Sequence, residues 1–416
     1  MSAKRKLLVV ANPYPPMVSA GTTRVVRFLR HLPEHGWEPT VLTARAKGTA
    51  PTPGVPVVRA PVLMPQRLLG GGRRSTRINR WISVPDPYAT WVGPAVCAGL
   101  RLLHSERFDV VLSSSPRPSV HLVAAMLARL SGLPWLADYR DPWSTYQFRA
   151  YPTRAHRRAH RCLEAWALRQ VAAVTAVNQP IIDDLVGRHP WLDGHAEVLP
   201  NGYDRAEAHE DINLGPGFWL VHTGRLYGRE QQVSAFLAAL AALPSEVKVL
   251  FVGVDESRIM PEARRLGLES RVGVEPFVPH ARSLGYQRAA DALLLVNGRR
   301  PESMSSKVFE YLDAGRPVFA ISPAGSAARA LFAEVGGGTC VLPDSDMAGP
   351  LASFIESVRL GRASVAEGSA LERYDLVRLT AELSMLLDRL AVDPGQASRR
   401  GRGWRFARGP HGRIQA

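Results

Sequence analysis

Twice along this chain, short apolar runs alternate with turn-rich loops and with segments whose apolar residues recur every three or four positions. The first set opens with KLLVVANPYPP and continues in AGTTRVVRFLRHLPEHG, where Val25, Phe28, Leu29 and Leu32 fall at i, i+3, i+4 and i+7 and Gly36 ends the pattern. WEPTVLTA reads as the next strand, and the same grammar returns in FDVVLSSSPRPSVHLVAAMLARLSGLPWLADYRDPW and VAAVTAVNQPIIDDLVGR. After Val198 comes LPNGYDRAEAHEDINLGPG, polar and turn-rich, which reads as an interdomain linker. A second set follows in GFWLVHTGRLYG, REQQVSAFLAALAAL, VKVLFVGV and ADALLLVNG. Strands separated by helices of this length pair in parallel, because only a crossover helix returns the chain to the same end of a sheet. The expectation is an α/β protein of two doubly wound parallel sheets, and 416 residues are too many for one ordinary core. Residues 1–198 form the first domain, rejoined by an amphipathic helix over 372–390; residues 199–371 form the second; 391–416 read as a basic disordered tail.

Charge divides the chain unevenly. Residues 1–200 hold 26 Lys and Arg against 12 Asp and Glu, whereas residues 201–416 hold 26 against 25. Either an anionic partner faces the first half, or the whole composition is rich in arginine. Nucleic acid is not expected, because no binding motif or aromatic stacking platform accompanies the charge. Cys97, Cys162 and Cys340 are odd in number and far apart, which argues against a disulfide framework or a zinc site and fits a reducing cytoplasm. Neither a signal peptide nor a membrane-spanning run is recognised. Residues 60–91 interleave Leu63, Trp81 and other apolar side chains with Arg67, Arg73, Arg74, Arg77 and Arg80, a mixture suited to the surface of an anionic leaflet or to an ordinary acceptor-side loop.

The chemistry concentrates in PESMSSKVFEYLDAGRPVFAIS. Glu302 stands on a loop, Ser305 and Ser306 read as loop and N-cap, and Glu310 lies about one turn into a helix starting near Lys307 that Gly315 stops. On residues alone the two acids are a solvated surface pair or two contacts to one extended ligand. Arg225 and Arg229 follow a strand beside Gly224 and Gly228, where backbone can approach a phosphate closely. His121 and His222, each beside an apolar run, read as core histidines, and DSD at 344–346 is weak evidence for a metal.

Taken in order, these motifs resemble glycosyltransferase family 4 over nearly all of residues 5–390. PPMVSAGTTR resembles its N-terminal Gly-rich loop, VLPNGYD its interdomain segment and HTGRLYGRE its phosphate-binding turn, while Glu302 and Glu310 match its E-x7-E spacing. The resemblance implies the GT-B architecture, two Rossmann-like domains facing a central cleft, and a metal-independent, retaining hexosyltransferase. Such an enzyme moves a sugar from a nucleoside-diphosphate sugar to an acceptor hydroxyl, in polysaccharide, glycolipid or natural-product biosynthesis. It implies Glu302, Arg225 and Arg229 as catalytic residues and Gly21, Gly224, Ser305, Ser306 and Glu310 as donor-binding residues. Where many relatives carry a His after the strand, this chain has Arg140 and Asp141, with Asp138 two residues earlier; these three are the acceptor-side or sugar-orienting candidates. No cofactor beyond the sugar donor is implied. The enzyme is expected in the cytoplasm, and two readings of its acceptor stay open: a lipid-linked or amphiphilic one reached at the inner face of the membrane, or a soluble one. The alternative is a catalytically silent paralogue that binds nucleotide sugar as a partner subunit.

Overall fold

A computed structural model describes residues 4–17, 20–46, 54–63, 81, 83–146, 149, 151–226, 230–298 and 304–392. The chain forms two compact units, one of residues 1–200 with 379–416 and the other of residues 201–378.

In the first unit the order is β1 (Arg5–Ala11), α1 (Ala20–His31), β2 (Trp37–Ala44), β3 (Val57–Ala60), α2 (Val92–Ser105), β4 (Val110–Ser114) and α3 (Pro118–Ser131). There follow β5 (Trp135–Tyr139), α4 (Arg154–Leu168), β6 (Ala173–Ala176), α5 (Gln179–Arg188) and β7 (Ala196–Val198). All strands pair in parallel, in the spatial order β3-β2-β1-β4-β5-β6-β7. Central β1 is dry on both faces, with Leu7 through Val10 fully buried, as parallel strands covered by helices on each side must be. Helix α1 buries Val25, Phe28 and Leu29 and tightens into a single 3₁₀ turn, Leu32–His35, which buries Leu32, the fourth residue of the period, and closes at Gly36, whose φ of 81° is left-handed.

The second unit runs β8 (Phe218–Thr223), α6 (Glu230–Ala241), β9 (Val247–Val252), α7 (Met260–Arg265), β10 (Val272–Glu275), α8 (His280–Ala289), β11 (Ala292–Val296) and α9 (Lys307–Asp313). It continues with β12 (Val318–Ile321), α10 (Ala327–Val335), β13 (Gly338–Val341), α11 (Ala348–Arg359) and α12 (Gly368–Leu371), and α13 (Leu376–Val392) then leads out of it. Its strand order is β10-β9-β8-β11-β12-β13, again all parallel. Each sheet therefore reverses direction once, between β1 and β4 in the first and between β8 and β11 in the second.

The boundary between the units, at Pro200 and Asn201, falls in the stretch after Val198 that reads as a linker; it carries no named helix or strand, and within it Tyr203 is 1% exposed and bridges Asp375 inside the second unit. An aromatic ring among polar residues supplies the anchor. One segment differs from its sequence reading. The helix expected from residue 372 starts only at Leu376. Asp375 is extended and its carboxylate accepts from the Val377 amide at 2.9 Å, so the acid acts as an N-cap rather than a helical residue. Beyond it Leu379, Leu383, Leu386, Leu387 and Leu390 are buried on one face, and Asp388 accepts from the Trp37 indole at 3.0 Å and pairs with Arg5, fixing α13 to the first unit. Nearly all of the basic tail, and the arginines at 67, 73, 74, 77 and 80, lie outside the described residues.

Candidate active site

Where a parallel sheet reverses its strand order, the loops leaving the two strands part to opposite faces and open a crevice at the carboxyl ends. In the second unit β8 delivers Thr223 and Gly224 to that edge. Gly224 has φ 80°, a conformation that favours glycine, and its amide donates to the Val252 carbonyl at 2.6 Å. Space demands glycine as well, because a Cβ there would stand 2.5 Å from both Cε and Nζ of Lys307. The first residue of α9 thus lays its ammonium over the Gly224 turn. Sequence reading passed over Lys307 as a mere helix start. The available signal was that a cation in the first turn opposes the helix dipole.

Arg225 follows the turn with its side chain exposed, whereas Arg229 and Glu302 lie outside the described residues. Ser306 does not cap as expected: its backbone is already helical, at φ −58° and ψ −21°, and its hydroxyl makes no cap bond. Ser305 instead gives its amide to Asn297 Oδ1 at 3.4 Å, tying the entry of α9 to the end of β11. Since α9 has only seven residues its dipole is short, and the positive charge near the turn belongs to Lys307 and Arg225.

Glu310 sits one turn into α9 with its side chain 11% exposed. Gln287 Nε2 lies 3.5 Å from Glu310 Oε2 and donates to Thr223 Oγ1 at 3.1 Å. Tyr311 Oη accepts from the Thr223 amide at 2.8 Å, and burial pushes that phenol up to about 12, so it stays protonated. The residue before the Gly224 turn and the residues at and after Glu310 are in this way held in one buried network. His280 Nε2 lies 3.0 Å from Glu207 Oε2 and 3.9 Å from Glu310 Oε1, on the exposed side of the same carboxylate. His222 is a core residue, with its ring nitrogens 2.9 Å from the Leu294 carbonyl and 3.0 Å from that of Gly224, bracing the turn from below.

At the carboxyl edge of the first sheet, Gly21 lies in the first turn of α1 rather than in the loop before it. A Cβ at Gly21 would meet Pro116 Cδ at 2.6 Å and Arg140 Nη1 at 3.1 Å, so glycine lets the loops after β4 and β5 close onto the helix start. Arg140 and Asp141 share the Ser115 hydroxyl as acceptor for their amides, at 2.8 and 3.4 Å, and their side chains pair at 3.7 Å, each about one-fifth exposed. Asp138 is turned the other way, inward. Its carboxylate accepts from Arg24 Nε and Nη2 at 3.0 and 2.9 Å, from Ser114 Oγ at 2.6 Å and from Thr175 Oγ1 at 3.0 Å. Burial acts to raise its pKa, but the Arg24 charge and these donors outweigh it and hold the acid below the ordinary value.

His121 is wholly buried, stacked on Tyr139 with ring centroids 4.5 Å apart. Trp135 Nε1 donates to Ser113 Oγ, which lies 2.8 Å from His121 Nδ1. Burial lowers this histidine from 6.5 to about 4, against the weaker pull of Asp138 and Glu164. A depressed folded pKa means stability that is present above pH 6.5 and lost as pH falls toward 4. On linkage alone the loss is on the order of 3 kcal/mol. Urea unfolding at pH 7 and pH 4.5 checks this: His121→Gln should flatten the difference, and an unchanged difference would clear His121 of the role. Among the described residues no group of three His, Cys, Asp or Glu side chains could hold a metal, and in DSD the Asp346 carboxylate accepts from the Ala348 amide at 3.0 Å.

Comparison with known proteins adds the family. The model of the "Glycosyl transferase 4-like domain" matches residues 19–202, and that of "Glycosyl transferases group 1" matches residues 217–358, together more than three quarters of the chain. No curated protein sequence matches. Among solved structures, HepE of Anabaena, crystallised with UDP and glucose, superposes with a TM-score of 0.69 at 17% identity, over 92% of this chain and 100% of that one. Sucrose-phosphate synthase of Thermosynechococcus elongatus gives 0.64 at 16% identity over 95% and 99%. WaaG, a glycosyltransferase of lipopolysaccharide biosynthesis, gives 0.62 at 16% identity over 92% and 99%. Two Rossmann-like domains with parallel sheets, matched in order by both family models and by these GT-B structures, make this chain a member of the family 4 type of glycosyltransferases.

Proposed function

We propose that this glycosyltransferase is retaining and metal-independent, and that it takes a nucleoside-diphosphate sugar at the carboxyl edge of β8 and β11. The observation that carries the reading is the triple placement of the Gly224 turn, the Lys307 ammonium over it and Glu310 one helical turn further, braced by Gln287. Lys307 and Arg225, with Arg229 from the sequence motif, face the diphosphate and take up the charge that grows as the sugar C1–O bond breaks. Glu310 accepts hydrogen bonds from the ribose hydroxyls and Glu302 acts on the donor sugar. C1 then bonds to the acceptor oxygen, whose proton is released. In the first unit Arg140 and Asp141, rather than inward-facing Asp138, are the groups offered to sugar or acceptor. HepE was crystallised with UDP-glucose, which makes UDP-sugars the first donors to test. A lipid-linked or amphiphilic acceptor at an anionic membrane surface is supported by the positive charge of residues 1–200.

Melting-temperature shifts with a panel of nucleotide sugars identify the donor, because a ligand that binds only the folded state stabilises it. With that donor, Glu310→Ala should raise KM roughly tenfold or more and leave kcat nearly unchanged, since ribose contacts are alike in ground and transition states. NMR of the product should show the donor's anomeric configuration preserved. Inverted product would refute retention, and normal donor affinity in the variant would remove Glu310 from the donor site.

A further inference from the structure

Helix α4 carries a charge pattern that its own fold does not explain. Its sequence, RAHRRAHRCLEAWAL, turns His160, Glu164, Ala167 and Leu168 to the core. Arg154, Arg157, Arg158 and Arg161 are exposed, at i, i+3, i+4 and i+7, within about 100° of the helix circumference. Like charges at these spacings repel, so the stripe costs helix stability. The helix's one acid cannot relieve it: Glu164 is fully buried and bound to Arg188, Ser144 and His189. Among the described residues no carboxylate pairs with any of the four arginines; Arg157 lies over the face of Tyr151 at 5.9 Å, and Arg161 is near enough for its charge to act on the same phenol. Beside the first turn stands Trp81, 55% exposed, edge-on to His156 with ring centroids 5.6 Å apart and with its carbonyl 3.0 Å from His156 Nε2.

We infer that the outward face of α4, with Trp81 at its amino end, docks on an anionic phospholipid surface. Four uncompensated guanidinium groups on one convex face match a plane of lipid phosphates, and an exposed indole beside them suits the headgroup layer, where tryptophan concentrates. A nucleic-acid strand would call instead for a charged groove with several aromatic platforms. This surface names the contact for the membrane-proximal acceptor proposed above and rests on that part of the reading, but not on the transfer chemistry.

The test is co-sedimentation of the full chain with vesicles of phosphatidylcholine, with and without phosphatidylglycerol. Binding should require phosphatidylglycerol and weaken as salt rises. Replacing Arg154, Arg158 and Arg161 with Ala should lower partitioning about a hundredfold, at roughly fivefold per basic residue. Trp81→Ala should lower it further, and neither change should alter the melting temperature much or transfer to a water-soluble acceptor. Wild-type vesicle binding by the folded triple variant would overturn the proposal, since the charge would then act from elsewhere, such as the basic tail. Single-stranded RNA held as tightly as the anionic vesicles, and released by the same three changes, would overturn it in favour of a nucleic-acid surface. Unchanged protein that transfers sugar to a water-soluble acceptor yet ignores phosphatidylglycerol vesicles at low salt would sink the docking face and leave the enzyme's chemistry untouched.

Discussion

Lys307→Ala lowers turnover roughly tenfold to a thousandfold while the protein keeps its fold, and Lys307→Arg recovers part of the loss. The size is that expected on removing one preorganised stabiliser of a growing negative charge. The ammonium lies over Gly224, where the chain after β8 comes closest, and the left-handed glycine leaves no Cβ between the cation and whatever sits on the turn. Because the charge to be met is that of the leaving diphosphate, the defect should fall on kcat more than on KM, in contrast to Glu310→Ala. Arg225→Ala should show the same signature. If these cations do the work, EDTA leaves the wild-type rate nearly unchanged. Loss of transfer on chelation, regained with a divalent ion, would replace the cation account with a metal one. Full kcat in Lys307→Ala would remove the residue from the site.

Asp138→Ala should lose about 3–5 kcal/mol of stability, the usual result of leaving one member of a buried ion pair unmatched. Arg24 is 4% exposed and spends its fork on Asp138 and on the carbonyls of Leu199 and Pro200, at 2.8 and 2.9 Å. Without the carboxylate its charge would remain desolvated, and the chain end that leaves the first unit would lose its tether. Asp138→Asn keeps the shape and tests the charge alone, so it should lose less. The pH dependence follows the depressed acid: its stabilisation is present above the ordinary carboxylate pKa and disappears as pH falls through the folded value. Chemical denaturation of the three proteins at neutral pH measures the effect. A midpoint within error of wild type for Asp138→Ala would mean that Asp138 is no structural pair and would reopen a role toward the sugar.

Much of the fold was legible because it is local. Val25, Phe28, Leu29 and Leu32 reach the core since a 3.6-residue period places them on one side of α1 and the 3₁₀ turn that follows it. Strands such as ALLLV of β11 announce themselves as unbroken apolar runs, as strands covered on both faces do. The short strands β3, β7, β10 and β13 carry too few residues to show a period, and their pairing with a neighbour is what defines them. The bridge between Tyr203 and Asp375 escapes a local reading for a related reason, because it joins residues far apart in the chain, whereas the cap that Asp375 makes on the Val377 amide is local.

The candidate site divides in the same way. Sequence alone determined that a glycine turn follows a strand and that an acid lies inside a later helix, since residue type and spacing state both; that the two serve one donor site came only with the family resemblance. Only the tertiary structure decided that Lys307 covers Gly224, that Gln287 braces Glu310, that Asp138 faces Arg24 and that the arginines of α4 face outward. A backbone dihedral or a helical period is set by neighbouring residues. Which side chain meets which across a sheet reversal is set by packing between elements distant in the chain, and no local pattern records it.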